Sequence, residues 1–329
     1  MSHWSMRRPG FITLLPADHQ WAVYAAYRNL RFALQHGVNY LFSKANATRQ
    51  LKRIGCRYLS SRSAFEVHLV TCHRDIPLAL WALASWYGVG HRSDPVVIHD
   101  DGSLTPPDYE SIRAMFPEAR IISRSEADDI VATELSRFPA IRTYRALSPL
   151  AIKLIDVPLM SACERFILMD SDVFTFSSLS NLETRLPASG NSFLRDYQFA
   201  LTVGRDVFVR FAAENGYLPI NTGFAVIERQ TLDPDCLEHA LTVCPDIYAS
   251  PSWAEQTLYA LLSSRRGTHF LGPDFVVAQG QCLENVKVKH YVSLCRGFAY
   301  VEGVPQLSRL LFQERSIPPE EVLTSVPNQ

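Results

Sequence analysis

Between residues 65 and 169, short apolar runs alternate with longer segments of helical period. "FEVHLVT" (65–71) reads as a strand, and "PLALWALASWYG" (77–88) as a helix starting at Pro77 and stopping at Gly88. "PVVIHDDG" (95–102) is a second strand entering a glycine turn, "PPDYESIRAMFP" a helix, and "ARIIS" a third strand. Ser125 and Asp128 stand in capping-box spacing at the head of "SEADDIVATELSRF". "SPLAIKLIDVPLMSACE" (148–164) continues as a helix kinked or ended near Pro158. "FILM" (166–169) is the fourth strand, continuous rather than alternating, as in a strand covered on both faces. This order predicts right-handed βαβ units, hence an α/β protein with a mostly parallel, Rossmann-like sheet. Ligands of such sheets bind beyond the carboxyl ends of the strands.

After residue 190 the order loosens. "YQFALTV" (197–203), "FAVIER" (224–229) and "VKVKHYV" (286–292) are strand-like, with helices at 233–244, capped by Asp233, and at 252–263. The last fourteen residues have little to bury. Near the start, Val23, Tyr27, Leu30, Leu34, Val38 and Leu41 form one helical stripe. Two readings fit it: a helix lying on an anionic membrane, or one packed on the main domain with its charges in water.

Composition is that of a globular protein, 47% hydrophobic and 20% charged over 329 residues. The net charge of −1 hides an asymmetry. Residues 1–62 hold ten Lys/Arg and one acid, Asp18; the remainder holds 22 basic and 32 acidic residues. A basic helical extension (1–62), a main domain (63–300) and a C-terminal helix with a frayed tail (301–329) follow as the expected division. The seven cysteines show no CxxC spacing, which favours a reducing compartment. The first apolar run, Phe11–Leu15, is too short for a signal peptide, and no 18-residue apolar span exists. A cytoplasmic location is expected, peripheral to a membrane if the extension binds lipid, with no nucleic acid among the partners.

The chemistry concentrates where "FILM" runs into Asp170-Ser171-Asp172. Residues i and i+2 of an extended chain point the same way, so two carboxylates share one spot. They repel unless a cation lies between them, and a hard ion such as Mn²⁺ or Mg²⁺ suits oxygen ligands. Turn or capping aspartates after a strand are the plainer alternative.

A buried strand ending in Asp-x-Asp after a Rossmann-like half resembles the nucleotide-sugar glycosyltransferases of the GT-A fold. "NTGF" (221–224), "EQTLYALL" (255–262) and "KHYVS" (289–293) resemble, in order, motifs of glycosyltransferase family 8, the glycogenin-like group. The resemblance spans about residues 65–300 and implies a Rossmann-like domain with a smaller mixed acceptor-side subregion. It also implies transfer from a UDP-sugar or similar donor to a glycan, protein or lipid-linked acceptor, with retention at the anomeric carbon. By position, Asp170, Asp172 and His290 would hold the metal, with Ser171 beside the donor phosphates. Asn221 would orient sugar hydroxyls, and Glu255 and Gln256 would lie near donor sugar and acceptor. Thr71 and Arg74 would meet the nucleoside, Asp100 or Asp101 the base or ribose, and Lys153 the diphosphate. The family has Asp where this chain has Glu255, and "HDDG" (99–102) is closer to another glycosyltransferase group.

Each residue has a structural alternative. His290 shares the inward face of Val286, Val288 and Val292 and could be a core histidine. Asn221 suits a plain turn, Ser252-x-x-Glu255 a capping box, and Lys153 a solvated helix position. A haloacid-dehalogenase-like phosphohydrolase with Asp170 as nucleophile also pairs an apolar strand with Asp-x-Asp, but Phe174 stands where that family has Thr or Val. A nucleotidylyltransferase needs a glycine-rich loop that "TCHRDIPLAL" lacks. A non-catalytic sugar-nucleotide-binding or lectin-like protein is the third rival.

Overall fold

The computed structural model describes residues 27, 30–35, 37–54, 58–61, 63–244, 246–247, 251–277 and 282–315. In chain order its elements begin with α1 (Asn39–Ile54), β1 (Val67–Thr71), α2 (Ile76–Ala84), β2 (Val96–Asp100), α3 (Pro106–Met115) and β3 (Arg120–Ile122). They continue with α4 (Arg124–Glu134), α5 (Pro139–Leu147), α6 (Ala151–Leu154), α7 (Asp156–Met160), β4 (Arg165–Met169), β5 (Val173–Thr175) and β6 (Asn191–Arg195). The rest are α8 (Arg205–Phe208), β7 (Ile220–Glu228), α9 (Pro234–Val243), α10 (Pro251–Ser263), β8 (Thr268–Phe270), β9 (Phe275–Val277), β10 (Val288–His290) and α11 (Val304–Arg315).

The described strands form a seven-stranded sheet, β3-β2-β1-β4-β7-β6-β8, and a three-stranded one, β5-β10-β9. The β3-β2-β1-β4 half is parallel, as strands joined by helices must be. β7 runs antiparallel to β4 and β6, making the larger sheet mixed but mostly parallel, and the expected α/β class is met. Alternate residues of β4 enter different cores. Ile167 and Met169 pack with Leu69, Ile98 and Phe224 on one face, Phe166 and Leu168 with Val97, Phe193 and Ala225 on the other. Two covered faces explain the unbroken apolar run.

Several local expectations need correction. Ser123, not Ser125, caps α4 by accepting the Glu126 amide at 3.2 Å. Gly88 does not stop α2; it lies in a π-turn, Ser85–Val89. A Cβ there would come within 2.3 Å of Leu311, so close approach to α11 explains the glycine. The break near Pro158 falls at Ile155, one turn upstream, because proline leaves the carbonyl at position 154 without its donor. "YQFALTV" forms no strand. Its backbone is satisfied by side chains of α10 instead: Thr257 Oγ1 accepts from the Thr202 amide, and Gln256 donates to the Ala200 carbonyl. The strand in this region is the unexpected β6. Asn221 and Gly223 lie within β7 rather than in a turn, and the glycine has no positive φ.

The N-terminal stripe is interrupted, and its described leucines and Val38 do not pack on the main domain. Residues 30–35 are helical, but Gly37 takes a left-handed φ of +83° and breaks the run before α1. Phe32 and Tyr40 face the protein, whereas Leu30, Leu34, Val38 and Leu41 face outward; Val23 lies outside the described residues. Ala47, Leu51 and Ile54 of α1 join the same core as Trp81 and Leu311. The Trp81 indole donates to the Ala47 carbonyl at 3.1 Å. The C-terminal tail, 316–329, lies outside the described residues.

Candidate active site

β4 ends at the carboxyl edge of the sheet and releases Asp170 and Asp172 there. β10 pairs antiparallel with β5, placing His290 opposite Val173, and the Tyr291 amide bonds the Asp172 carbonyl at 2.9 Å. This pairing carries the imidazole to the carboxylates across 118 residues. His290 Nε2 lies 3.3 Å from Asp172 Oδ1 and 3.7 Å from Asp170 Oδ2. The three side chains offer ligand atoms within 4.8 Å of one another.

Hydrogen bonds around His290 fix its tautomer. Asn221 Oδ1 accepts from the Gly223 amide at 3.0 Å, and Asn221 Nδ2 donates to Asp196 Oδ2 at 2.9 Å. With the amide oriented from both ends, the contact of 2.8 Å between Asn221 Oδ1 and His290 Nδ1 requires a proton on Nδ1. Nε2 is then the nitrogen turned toward the two carboxylate oxygens: protonated it pairs with them, and neutral it presents a lone pair. Three acceptors facing one another need a proton or a cation among them, so the donor set fits a divalent metal. Gly223 makes room for the ring: a Cβ there would stand 2.1 Å from Nδ1.

Cationic side chains hold the outer carboxylate oxygens. Lys153, on α6, places Nζ 2.5 Å from Asp170 Oδ1. Arg296 places Nε 3.2 Å from Asp172 Oδ2, donates to Ser171 Oγ at 3.0 Å, and pairs with Asp75 at 2.9 Å. Burial favours a neutral Asp172, yet Arg296 and then His290 hold its pKa well below the usual carboxylate range. Burial likewise opposes charge on Lys153, and Asp170 and Glu255 outweigh it, so the lysine stays cationic.

The other expected residues separate into two groups. Glu255 and Gln256 stand on α10 beside β7. Thr222 donates to Glu255 Oε2 at 2.9 Å, while Oε1 has no hydrogen-bond partner among the described residues. α10 already includes Pro251, so Ser252 is inside the helix, and Glu255 faces Thr222 rather than serving as a cap. Burial, partly offset by Lys153, pushes the Glu255 carboxyl up to about 7. Asn221 has both ends of its amide engaged by the protein and touches the site through His290. Thr71, Asp100 and Asp101 are at the carboxyl ends of β1 and β2 but bond locally. The Thr71 carbonyl accepts from the Asp101 amide, and Asp100 accepts from Gly102, Leu104 and Tyr109. Asp101 accepts from Ser103. Arg74 pairs with Asp75 and so connects to Arg296.

Arg296, Asp75 and Asp196 were not expected from the sequence. Arg296 follows "KHYVS" by three residues, in a short 3₁₀ stretch without period; its one legible signal is its position as the first cation after the histidine strand.

A scan against protein-family models and a search of curated proteins find no match. Solved structures are similar in overall architecture. The galactosyltransferase LgtC, solved with donor and acceptor sugar analogs, aligns at 12% identity and a TM-score of 0.45, over 78% of this chain and 98% of that one. The mannosyltransferase Ktr4p from S. cerevisiae aligns at 8% identity and 0.44, over 86% and 93%. The glycosyltransferase GlyE of Streptococcus pneumoniae TIGR4 aligns at 11% identity and 0.45, over 80% and 62%. With TM-scores below 0.5, no residue role rests on these likenesses.

Proposed function

We propose that the protein is a metal-dependent glycosyltransferase that takes its sugar from a nucleotide-diphosphate donor. The observation that carries this reading is the convergence of His290 Nε2, its ring oriented by Asn221, with the inner oxygens of Asp170 and Asp172. Two cations, buried Lys153 and partly buried Arg296, stand beside the carboxylates and support an anionic, phosphate-bearing donor.

Asp170, Asp172 and His290 are the residues that would hold Mn²⁺ or Mg²⁺, which when bound supplies Lewis-acid stabilisation of the departing diphosphate. Lys153 and Arg296 fix the carboxylates by their outer oxygens, leaving the inner ones for the ion. Both are also cations within reach of a phosphate at this edge. The free Oε1 of Glu255 is the polar group left for the sugar side. A uridine base and retention of anomeric configuration, implied by the family resemblance, belong to the same proposal.

The test incubates the protein with Mn²⁺ and a panel of UDP-, GDP- and TDP-sugars and measures released nucleoside diphosphate. Release from one donor, abolished by EDTA, is the expected result, and product NMR then reads the anomeric configuration. Phosphate release from simple phosphomonoesters in place of nucleoside diphosphate would support the hydrolase reading and end this one.

A further inference from the structure

The N-terminal segment presents a two-part outward face. Leu30, Leu34, Val38, Leu41 and Phe42 are between 50% and 79% exposed, within thirteen consecutive residues. Along α1 the exposed positions 41, 42, 45, 49, 52 and 53 fall at helical spacing, opposite the buried Tyr40, Ala47, Leu51 and Ile54. The first turns of that outward stripe are apolar, and its last turns carry Arg49, Lys52 and Arg53. From residue 19 to 65 the chain has no Asp or Glu and eight Lys/Arg.

We propose that this face docks on an anionic lipid surface, the apolar end entering the headgroup region and the basic end pairing with lipid charge. The proposal is independent of the reaction assigned above. An exposed apolar cluster of this size beside a basic stripe marks an interaction site rather than ordinary surface. Charge identifies the occupant. A second copy docked face to face by a twofold axis would bring two acid-free basic faces together, which repel. The chain's own first 26 residues hold Arg7, Arg8 and Asp18, so they supply no net counter-charge either. An anionic bilayer supplies both an apolar layer and negative charge. No helix among the described residues is long and apolar enough to cross a membrane, so the contact proposed is one of surface docking.

The inward side of the same segment reaches the candidate active site. Phe32 packs on Phe298 with ring centroids 5.0 Å apart, and a Cβ at Gly297 would meet the Phe32 ring at 2.7 Å. Gly297 directly follows Arg296, so the docking face and the arginine share one packed unit.

Co-sedimentation of the full-length protein with phosphatidylcholine vesicles, with and without 30% phosphatidylglycerol, tests the proposal. The protein pellets with the anionic vesicles, stays in the supernatant with the neutral ones, and is released as salt rises from 0.1 to 0.5 M, which shortens the Debye length from about 10 Å to about 4 Å. Leu34→Glu with Leu41→Glu reduces binding at least about tenfold, and Arg49→Glu with Lys52→Glu does so by a similar factor. All four sites are exposed, and an unchanged far-UV spectrum and Tm establish that the variants fold. Wild-type protein remaining in the supernatant with anionic vesicles overturns the proposal, as does equal pelleting of the variants. A dimer split by Leu34→Glu, without vesicle binding, would assign the face to self-association instead.

Discussion

His290 shows how one side chain's chemistry is set by the groups packed around it. Asp196 and the Gly223 amide orient Asn221, Asn221 orients His290, and the ring then has a single nitrogen to offer. Removing such an outer partner costs metal affinity without removing a ligand, typically about 10–100-fold. Asn221→Ala is therefore expected to weaken Mn²⁺ binding by that factor while leaving Asp170, Asp172 and His290 in place, read by electron paramagnetic resonance titration. Unchanged affinity would show that Asn221 does not fix the ring.

Glu255 gives a prediction of opposite kind. It faces Thr222 on β7, Lys153 on α6, Asp170 after β4 and His290 on β10, and burial raises its carboxyl from 4.5 to about 7. A raised carboxyl binds its proton more tightly when folded. Its ionisation therefore costs stability as pH rises from 4.5 through about 7, and the cost is complete above that. In EDTA, Glu255→Gln should match wild type near pH 4.5 and exceed its Tm by roughly 2–5 °C at pH 8. Parallel Tm profiles would contradict the assignment.

At the level of elements, β5 is a three-residue strand that must still direct the chain away from Asp172. Its support is lateral: β10 pairs one edge, and the buried Ser85 hydroxyl accepts the Thr175 amide at 3.0 Å while donating to the Ala82 carbonyl at 2.7 Å. Ser85→Ala would leave that amide unsatisfied and should cost about 1–3 kcal/mol by urea denaturation. A loss below 0.5 kcal/mol would show that the strand is held by β10 alone.

The elements also show what could be read from the chain. β1 to β4 and α2, α3, α4 and α9 were legible because each carries its own period, and in α9 also its punctuation, Asp233 capping through the Cys236 amide. The acidic pair was legible because an i, i+2 spacing at a strand end has one geometric consequence. The loop at 197–203 was not, since its β-like residues are satisfied by Thr257 and Gln256, fifty-five residues or more away. Arg296 was equally hidden, because an isolated arginine acquires meaning only from Asp75, Ser171 and Asp172 folded around it. The apolar stripe at 23–41 was legible only in part: it did not show the break at Gly37, nor that Phe32 and Tyr40 rather than its leucines face the core.

Across the whole molecule, the site is a meeting of distant segments. Residue 75 follows the first strand, residues 153–172 span the middle, and residues 290–296 come near the end, joined where β4 of the larger sheet gives way to β5 of the smaller one. A divalent ion held by the carboxylates and a nucleoside diphosphate drawn to that ion, Lys153 and Arg296 should each favour the other's entry. Binding reciprocity makes this measurable: each should tighten the other by one common factor. The decisive measurement is Mn²⁺ affinity by electron paramagnetic resonance titration, without nucleotide and with UDP or GDP, in wild type and in Asp172→Asn. One of the two nucleotides should tighten Mn²⁺ binding at least about tenfold in wild type, on the order of a 1.4 kcal/mol coupling, and Asp172→Asn should abolish both the affinity and the coupling. Equal Mn²⁺ binding by wild type and Asp172→Asn, unaffected by either nucleotide, would contradict the account.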